Sequence, residues 1–218
     1  MTAAKAKAKT IAIVDYGAGN LRSIYKAVER VCTETGSTAW PVVSADPQDI
    51  EAADAVVLPG VGAAGPTMRR LEECGLVGPL RSAASSDRPF LGVCLGMQLL
   101  FEHHEEGDVA GLGVLAGQAR RFRGGVKVPH MGWNLLLARQ PQHSMFRGIA
   151  PQTYFYYVHS YYVEPLEDNL VVGVTEYERE FCGALARGNL WATQFHPEKS
   201  GTDGLRLLRN FVGLLEAV

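Results

Sequence analysis

Cys94 lies in the run Phe90-Leu91-Gly92-Val93-Cys94-Leu95-Gly96-Met97-Gln98-Leu99-Leu100, with a glycine two residues before it and another two after. The apolar stretch at 89–93 predicts a buried strand, and 97–101 predicts the start of a helix. The cysteine therefore falls on a sharp strand-to-helix turn, the layout in which hydrolases present a nucleophilic serine. Glycines on both sides remove side chains that would crowd the bend. A sulfur near a helix N-terminus is also biased toward thiolate. The competing reading is a structural cysteine buried in a parallel strand, because free cysteine is among the most buried residue types. A base within reach separates the two.

Of the six histidines, His103 and His104 sit among Glu102, Glu105 and Glu106, and they read as a solvated, charged loop. His143 follows Gln140-Pro141-Gln142 and reads as surface. His196 differs: it ends the apolar segment Leu190-Trp191-Ala192-Thr193-Gln194-Phe195 and is followed by Pro197 and Glu198. His-x-Glu lets the carboxylate reach the far imidazole nitrogen, and the intervening proline stiffens the turn. Nucleophile, base and orienting acid are the parts of a catalytic triad. Alone, His-Pro-Glu reads first as an exposed turn; with the cysteine elbow it supplies the missing base. The two segments are 102 residues apart, so only the fold can join them.

Two glycine-rich turns accompany them. Pro59-Gly60-Val61-Gly62 follows an apolar run and could expose backbone N–H groups, which an oxyanion hole requires; it is equally a tight turn. Tyr16-Gly17-Ala18-Gly19-Asn20 has only part of a phosphate-loop pattern, and Asn20 reads as well as a helix cap.

The elements that must position these residues alternate. Strands are expected at 10–15, 39–43, 55–58 and 89–93. Helices are expected at 21–32, with apolar spacing through Leu21, Ile24, Tyr25, Val28 and Val31, and at 67–84, where Gly75, Gly78 and Pro79 must break or bend the helix. This rhythm predicts a parallel sheet covered by helices. Ligands of such sheets bind at the carboxyl ends of strands, where all three glycine-bearing turns fall. Beyond about 108, short strands at 154–158, 170–175 and 190–195 suggest a more antiparallel half, closed by a helix at 204–217.

With 218 residues, 47% hydrophobic and 20% charged, the chain has an ordinary globular composition for one domain with a sizeable core. A net charge of −2 leaves no basic footprint for nucleic acid and no reason to expect a membrane surface. The four cysteines are scattered without a Cys-x-x-Cys pair, so neither a metal site nor a disulfide framework is indicated. A reducing, cytoplasmic setting fits. Residues 1–9 read as a solvated, disordered leader, not a signal peptide.

Gly92-Val93-Cys94-Leu95-Gly96-Met97-Gln98 with Phe195-His196-Pro197-Glu198 resembles the class I, or triad, glutamine amidotransferases. Further segments are similar to the glutaminase subunits of imidazole glycerol phosphate synthases: Asp15-Tyr16-Gly17-Ala18-Gly19-Asn20-Leu21, Pro59-Gly60-Val61-Gly62, Lys127-Val128-Pro129-His130-Met131-Gly132-Trp133-Asn134, His159-Ser160-Tyr161, and His196-Pro197-Glu198-Lys199-Ser200-Gly201. The lysine-alanine leader is the main departure.

The resemblance implies an α/β single-domain class I glutamine amidotransferase fold over 10–218, with a mostly parallel central sheet flanked by helices and a more antiparallel C-terminal half. It implies that Cys94 attacks the side-chain amide of glutamine, that His196 moves the protons and that Glu198 orients His196. Backbone groups of Leu95, Val61 and Gly62 would hold the oxyanion; Gly60, Gln98, His159, Ser160 and Tyr161 would bind glutamine. No cofactor and no metal is implied. Ammonia would pass to a (β/α)8-barrel cyclase subunit in a heterodimer, and Asn20, Trp133, Asn134 and Lys199 match the family's interface and ammonia-gate positions. Trp133 has an alternative as a core aromatic. Other readings are the glutaminase partner of anthranilate synthase, against which the Pro129–Asn134 segment argues, a catalytically silent binding module of the same fold, and a stand-alone hydrolase or peptidase.

Overall fold

The computed structural model describes residues 8–17 and 21–216. The leader's first seven residues and Asn20 lie outside them; Lys9, expected as the end of the leader, instead opens the first strand. Strand β1 (Lys9–Val14) opens a βα alternation: α1 (Leu21–Thr35), β2 (Ala39–Ser44), α2 (Pro47–Ala52), β3 (Ala55–Leu58), α3 (Ala64–Glu73), α4 (Val77–Ser85), β4 (Phe90–Val93) and α5 (Leu95–Gln98). Helix α1 buries Ile24, Ala27, Val28, Val31 and Cys32, one stripe at helical spacing. Strand β3 is buried along its length, as expected where helices cover both faces of a parallel sheet.

Two differences from the expected elements have local causes. The helix expected at 67–84 is two helices, broken at Gly75, whose φ of +68° favours glycine. Pro79 sits in the first turn of α4, where its missing N–H costs no helical bond. Helix α2 has a legible signal that periodicity alone passes over: the Asp46 side chain caps it, accepting from Gln48 N at 2.8 Å, and Pro47 occupies its first turn.

The second half supplies β5 (Phe101–His104), β6 (Val109–Ala110), β7 (Leu115–Arg121), β8 (His130–Ala138), β9 (Gln152–His159), β10 (Tyr161–Pro165), β11 (Val171–Glu176), β12 (Glu180–Arg187), β13 (Leu190–Thr193) and α6 (Gly201–Glu216). Nine strands form one sheet in the order β2-β1-β3-β4-β13-β12-β11-β8-β9. Pairing is parallel from β2 to β13 and antiparallel from β13 to β9. This is the mixed α/β architecture expected. A second sheet, β10-β7-β5-β6, packs beside it.

Successive residues of β1 serve opposite faces. Ile11 and Ile13 join α1 and α6 side chains such as Val28 and Phe211, whereas Ala12 and Val14 join Ile50, Leu71 and Leu80 from α2, α3 and α4. Strands β4 and β13 are neighbours with Val93 opposite Thr193. The residues that follow each strand therefore leave the sheet side by side. Among the described residues, no helix is long and apolar enough to cross a membrane.

Candidate active site

The elbow is real and strained. Cys94 has φ +55° and ψ −110°, in the left-handed half of φ space although it is not glycine, at a cost of about 1–3 kcal/mol. The surroundings over-determine it: Cys94 N donates to Thr193 O at 2.8 Å, and Cys94 O accepts from Met97 N and Gln98 N. Close approach explains two of the glycines. A Cβ on Gly96 would lie 1.9 Å from Leu58 O, and one on Gly60 would lie 2.4 Å from Gly96 N. The turn after β3 and the elbow after β4 thus touch backbone to backbone. The expected helix start at 97–101 is corrected: α5 is a single turn, and Phe101 already begins β5. So short a helix carries little dipole, and the sulfur's environment must come from side chains.

A histidine arrives from the neighbouring strand. His196 follows β13 by three residues, its N–H donating to Tyr156 O at 2.9 Å, and Pro197–Lys199 form one 3₁₀ turn behind it. His196 Nδ1 donates to Glu198 Oε1 at 2.8 Å, with the two side chains only 2% and 4% exposed. Burial pushes the imidazole pKa down, but the nearby Cys94 sulfur and the Glu198 carboxylate, both of which favour the charged ring, outweigh it and hold the pKa well above the usual histidine range. His196 Nε2 is buried with no hydrogen-bond partner. With Nδ1 committed to the carboxylate, Nε2 is the ring atom free to exchange a proton with the sulfur or a ligand.

A cavity of about 270 Å³ opens over these groups, a size for a small metabolite rather than a drug-sized ligand. Cys94, His196, Val61, Gly62, Leu95, Gln98, His159, Ser160 and Tyr161 line it, together with Glu106, Pro129 and Val158. Gly60 is not among the residues that line the cavity, and its side-chain space is filled by the elbow backbone. The Tyr16 hydroxyl donates to Pro59 O at 3.1 Å, tying the start of this turn to the segment after β1. Gly62 has φ +100°, a conformation open to glycine and strained for other residues.

Both ring nitrogens of His159 are spent inside the protein, Nδ1 on Tyr161 O at 2.7 Å and Nε2 on His130 Nδ1 at 2.9 Å. This segment therefore offers a ligand its backbone and the Ser160 and Tyr161 side chains rather than an imidazole. His104 is a correction. It is fully buried, ends β5 facing inward, and bonds Gln98 Oε1 through Nε2 at 2.9 Å; only its neighbour His103 is partly solvated. His143 is half-buried, packed edge-on against Trp191, and its Nδ1 accepts from Met145 N at 3.1 Å.

Trp133 is no core aromatic: it is 56% exposed and shares one face of β8 and β9 with Met131 and Tyr154, 61% and 60% exposed. Val158, on the same face opposite Met131, also lines the cavity, so the apolar patch runs to its mouth. The Lys199 ammonium is 6.0 Å from the Tyr156 ring centroid, beside Trp133. Asn134 points elsewhere, donating to Glu176 O at 2.8 Å and bonding His130 Nε2 at 3.2 Å.

Residues 12–214 match the family model described as glutamine amidotransferase class-I. Proteins named imidazole glycerol phosphate synthase subunit HisH are similar over almost their whole length. That of Moorella thermoacetica is 50% identical over 205 residues, covering 93% of this chain and 94% of the relative. That of Microcystis aeruginosa is 47% identical with the same coverage. A solved glutamine amidotransferase structure superposes with a TM-score of 0.69 at 20% identity, covering 94% of this chain and 98% of that one; at that identity it speaks for the fold alone.

Proposed function

The chain belongs to the class I glutamine amidotransferase family, among the HisH subunits of imidazole glycerol phosphate synthase, and from that membership we propose how its cavity works and what it serves. The chain is a glutaminase subunit of histidine biosynthesis. The observation that carries the reading of its site is the meeting of Cys94, His196 and Glu198 at the ends of two adjacent parallel strands, under one cavity.

Cys94 gives its thiol proton to His196 Nε2 as its sulfur attacks the side-chain carbonyl carbon of glutamine, and the carbonyl electron pair moves onto oxygen. Backbone N–H groups of Leu95 and of the Val61–Gly62 turn stabilise that oxyanion. As the tetrahedral adduct collapses, the C–N bond breaks and His196 Nε2 gives its proton to the departing ammonia. The resulting γ-glutamyl thioester is attacked by water, which gives a proton to His196; the C–S bond then breaks, glutamate leaves, and His196 returns that proton to the sulfur. Glu198 keeps Nδ1 protonated and stabilises the imidazolium at each transfer. Gln98, Ser160 and Tyr161 hold the amino-acid end of the substrate.

Ammonia released to water is lost as ammonium. We assign the exposed Met131, Trp133 and Tyr154 patch, with Lys199, to docking a (β/α)8-barrel cyclase subunit that receives the ammonia. The products of that partner are imidazole glycerol phosphate and an aminoimidazole carboxamide ribonucleotide. Cytoplasmic placement agrees with the four free cysteines.

Glutamine turnover by the purified chain, alone and with a barrel cyclase and its nucleotide ligand, tests this. Strong stimulation by the complex is expected; equal turnover in both would sink the ammonia-coupled reading, and full activity of Cys94→Ser would sink the nucleophile assignment.

A further inference from the structure

Two side chains at this site have no role in the scheme above, yet both are completely buried: His104 and Gln194. Their hydrogen bonds form a single directional chain. His104 Nδ1 accepts the Glu106 backbone N–H at 3.0 Å. The proton of the neutral ring is therefore on Nε2, which donates to Gln98 Oε1 at 2.9 Å. That bond decides which way the Gln98 amide faces. Gln98 Nε2 then donates to Tyr161 O at 2.8 Å and to Gln194 Oε1 at 3.0 Å. With its oxygen accepting, Gln194 has only Nε2 left to point onward, and that nitrogen is 3.6 Å from Cys94 Sγ.

We propose that Gln194 is a further catalytic residue, donating an amide N–H to the Cys94 sulfur, and that His104 is a positioning residue that locks Gln98 and, through it, Gln194. The neutral thiol has another partner, donating to Val158 O at 3.7 Å. Ionisation removes that donor and creates an acceptor, and the Gln194 N–H is already aimed at it. A hydrogen bond to the charged form favours that form, and within a buried chain each bond polarises the next. Burial keeps His104 neutral, its pKa down to about 4, so the chain holds its direction where a thiol ionises. Strand order accounts for the geometry: Gln194 directly follows β13 and Cys94 directly follows β4, in register. The inference rests on the reading of Cys94 as nucleophile.

The other titratable groups around the sulfur are His196, Tyr16 after β1, Glu106 after β5, His159 at the end of β9 and Tyr161 at the start of β10; none is altered in the test. Alkylation of Cys94 by iodoacetamide is followed against pH on the full chain, by mass analysis of its peptide. The variants are Gln194→Met, Gln194→Asn, His104→Leu and His104→Gln, each checked for folding by circular dichroism. Losing a hydrogen bond to the thiolate is expected to raise the alkylation midpoint by about one pH unit in Gln194→Met. Gln194→Asn, one methylene shorter, keeps an amide in the core but withdraws the donor, and shifts it the same way. His104→Leu shifts it upward by less, and His104→Gln, whose Nε2 can stand where the imidazole Nε2 stood, restores the wild-type midpoint. Unchanged midpoints in both folded Gln194 variants overturn the catalytic assignment. A His104→Gln midpoint equal to that of His104→Leu overturns the positioning role. Glutamine turnover by Cys94→Ala would instead overturn the nucleophile reading, whatever the alkylation profiles show.

Discussion

Glu198 commits one oxygen to His196 and leaves the other buried without a partner. That makes it sensitive to isosteric change. In Glu198→Gln an amide N–H can face Nδ1 and force the proton to Nε2, the tautomer that cannot take a proton from the thiol. Steady-state kinetics of the complex should show kcat lowered by on the order of 10²–10⁴-fold with KM little changed; a KM effect alone would make Glu198 a substrate contact instead. Sequence neighbourhood serves such residues unevenly. His-Pro-Glu was legible because base and acid are two residues apart and the bond between them is local. His104 was not: three nearby glutamates suggest solvent, but a register shift between Phe101 and His103 breaks the alternation of β5, so that Phe101 and His104 are both buried while Glu102 is exposed. Gln194 had no signal at all, being one polar residue in an apolar strand whose partner is 100 residues away.

The strand-turn-helix unit stands on missing side chains. A Cβ on Gly96 meets the Leu58 carbonyl, which is backbone and cannot swing aside. Gly96→Ala should therefore cost at least about 2–3 kcal/mol in urea denaturation and displace the elbow, with glutamine turnover lost. Gly78→Ala in α4 is the control. Nothing lies within 4 Å of its added methyl, and it should be neutral or gain about 0.4–1 kcal/mol; destabilisation there would mean that α4 packs otherwise. Elements with a full period of their own, such as α1 and β3, could be read directly. The one-turn α5 could not, since four residues carry no period, and β8 mixes exposed Met131 and Trp133 with half-buried neighbours because its outer face is an unpartnered apolar surface.

Across the whole molecule, the buried neutral histidines set the response to acid. Burial lowers the pKa of His104 and His130 to about 4 and of His159 to about 3, against about 6.5 in the unfolded chain. Below pH 6.5 the unfolded chain takes up protons at these three histidines that the folded one refuses, so their contribution to stability is full above about pH 6.5 and is lost as pH drops toward 4, whereas His196, whose pKa is raised, contributes below pH 6.5 and loses that contribution as pH rises. Urea midpoints from pH 7 to 5 should fall accordingly, with a shallower slope in His159→Asn; an equal slope would show that carboxylates dominate instead. The amino-acid sequence by itself determined the alternating α/β class, the strained elbow at Cys94, the His196–Glu198 pair and the motifs of the family, because each is written in residues close together along the chain. Only the tertiary structure decided that β13 lies beside β4. That adjacency brings Gln194 and His196 to the sulfur, encloses His104 and aims its proton, and leaves Trp133 outside. Such placements depend on strand order and burial, which arise from packing the whole chain and have no local spacing to announce them.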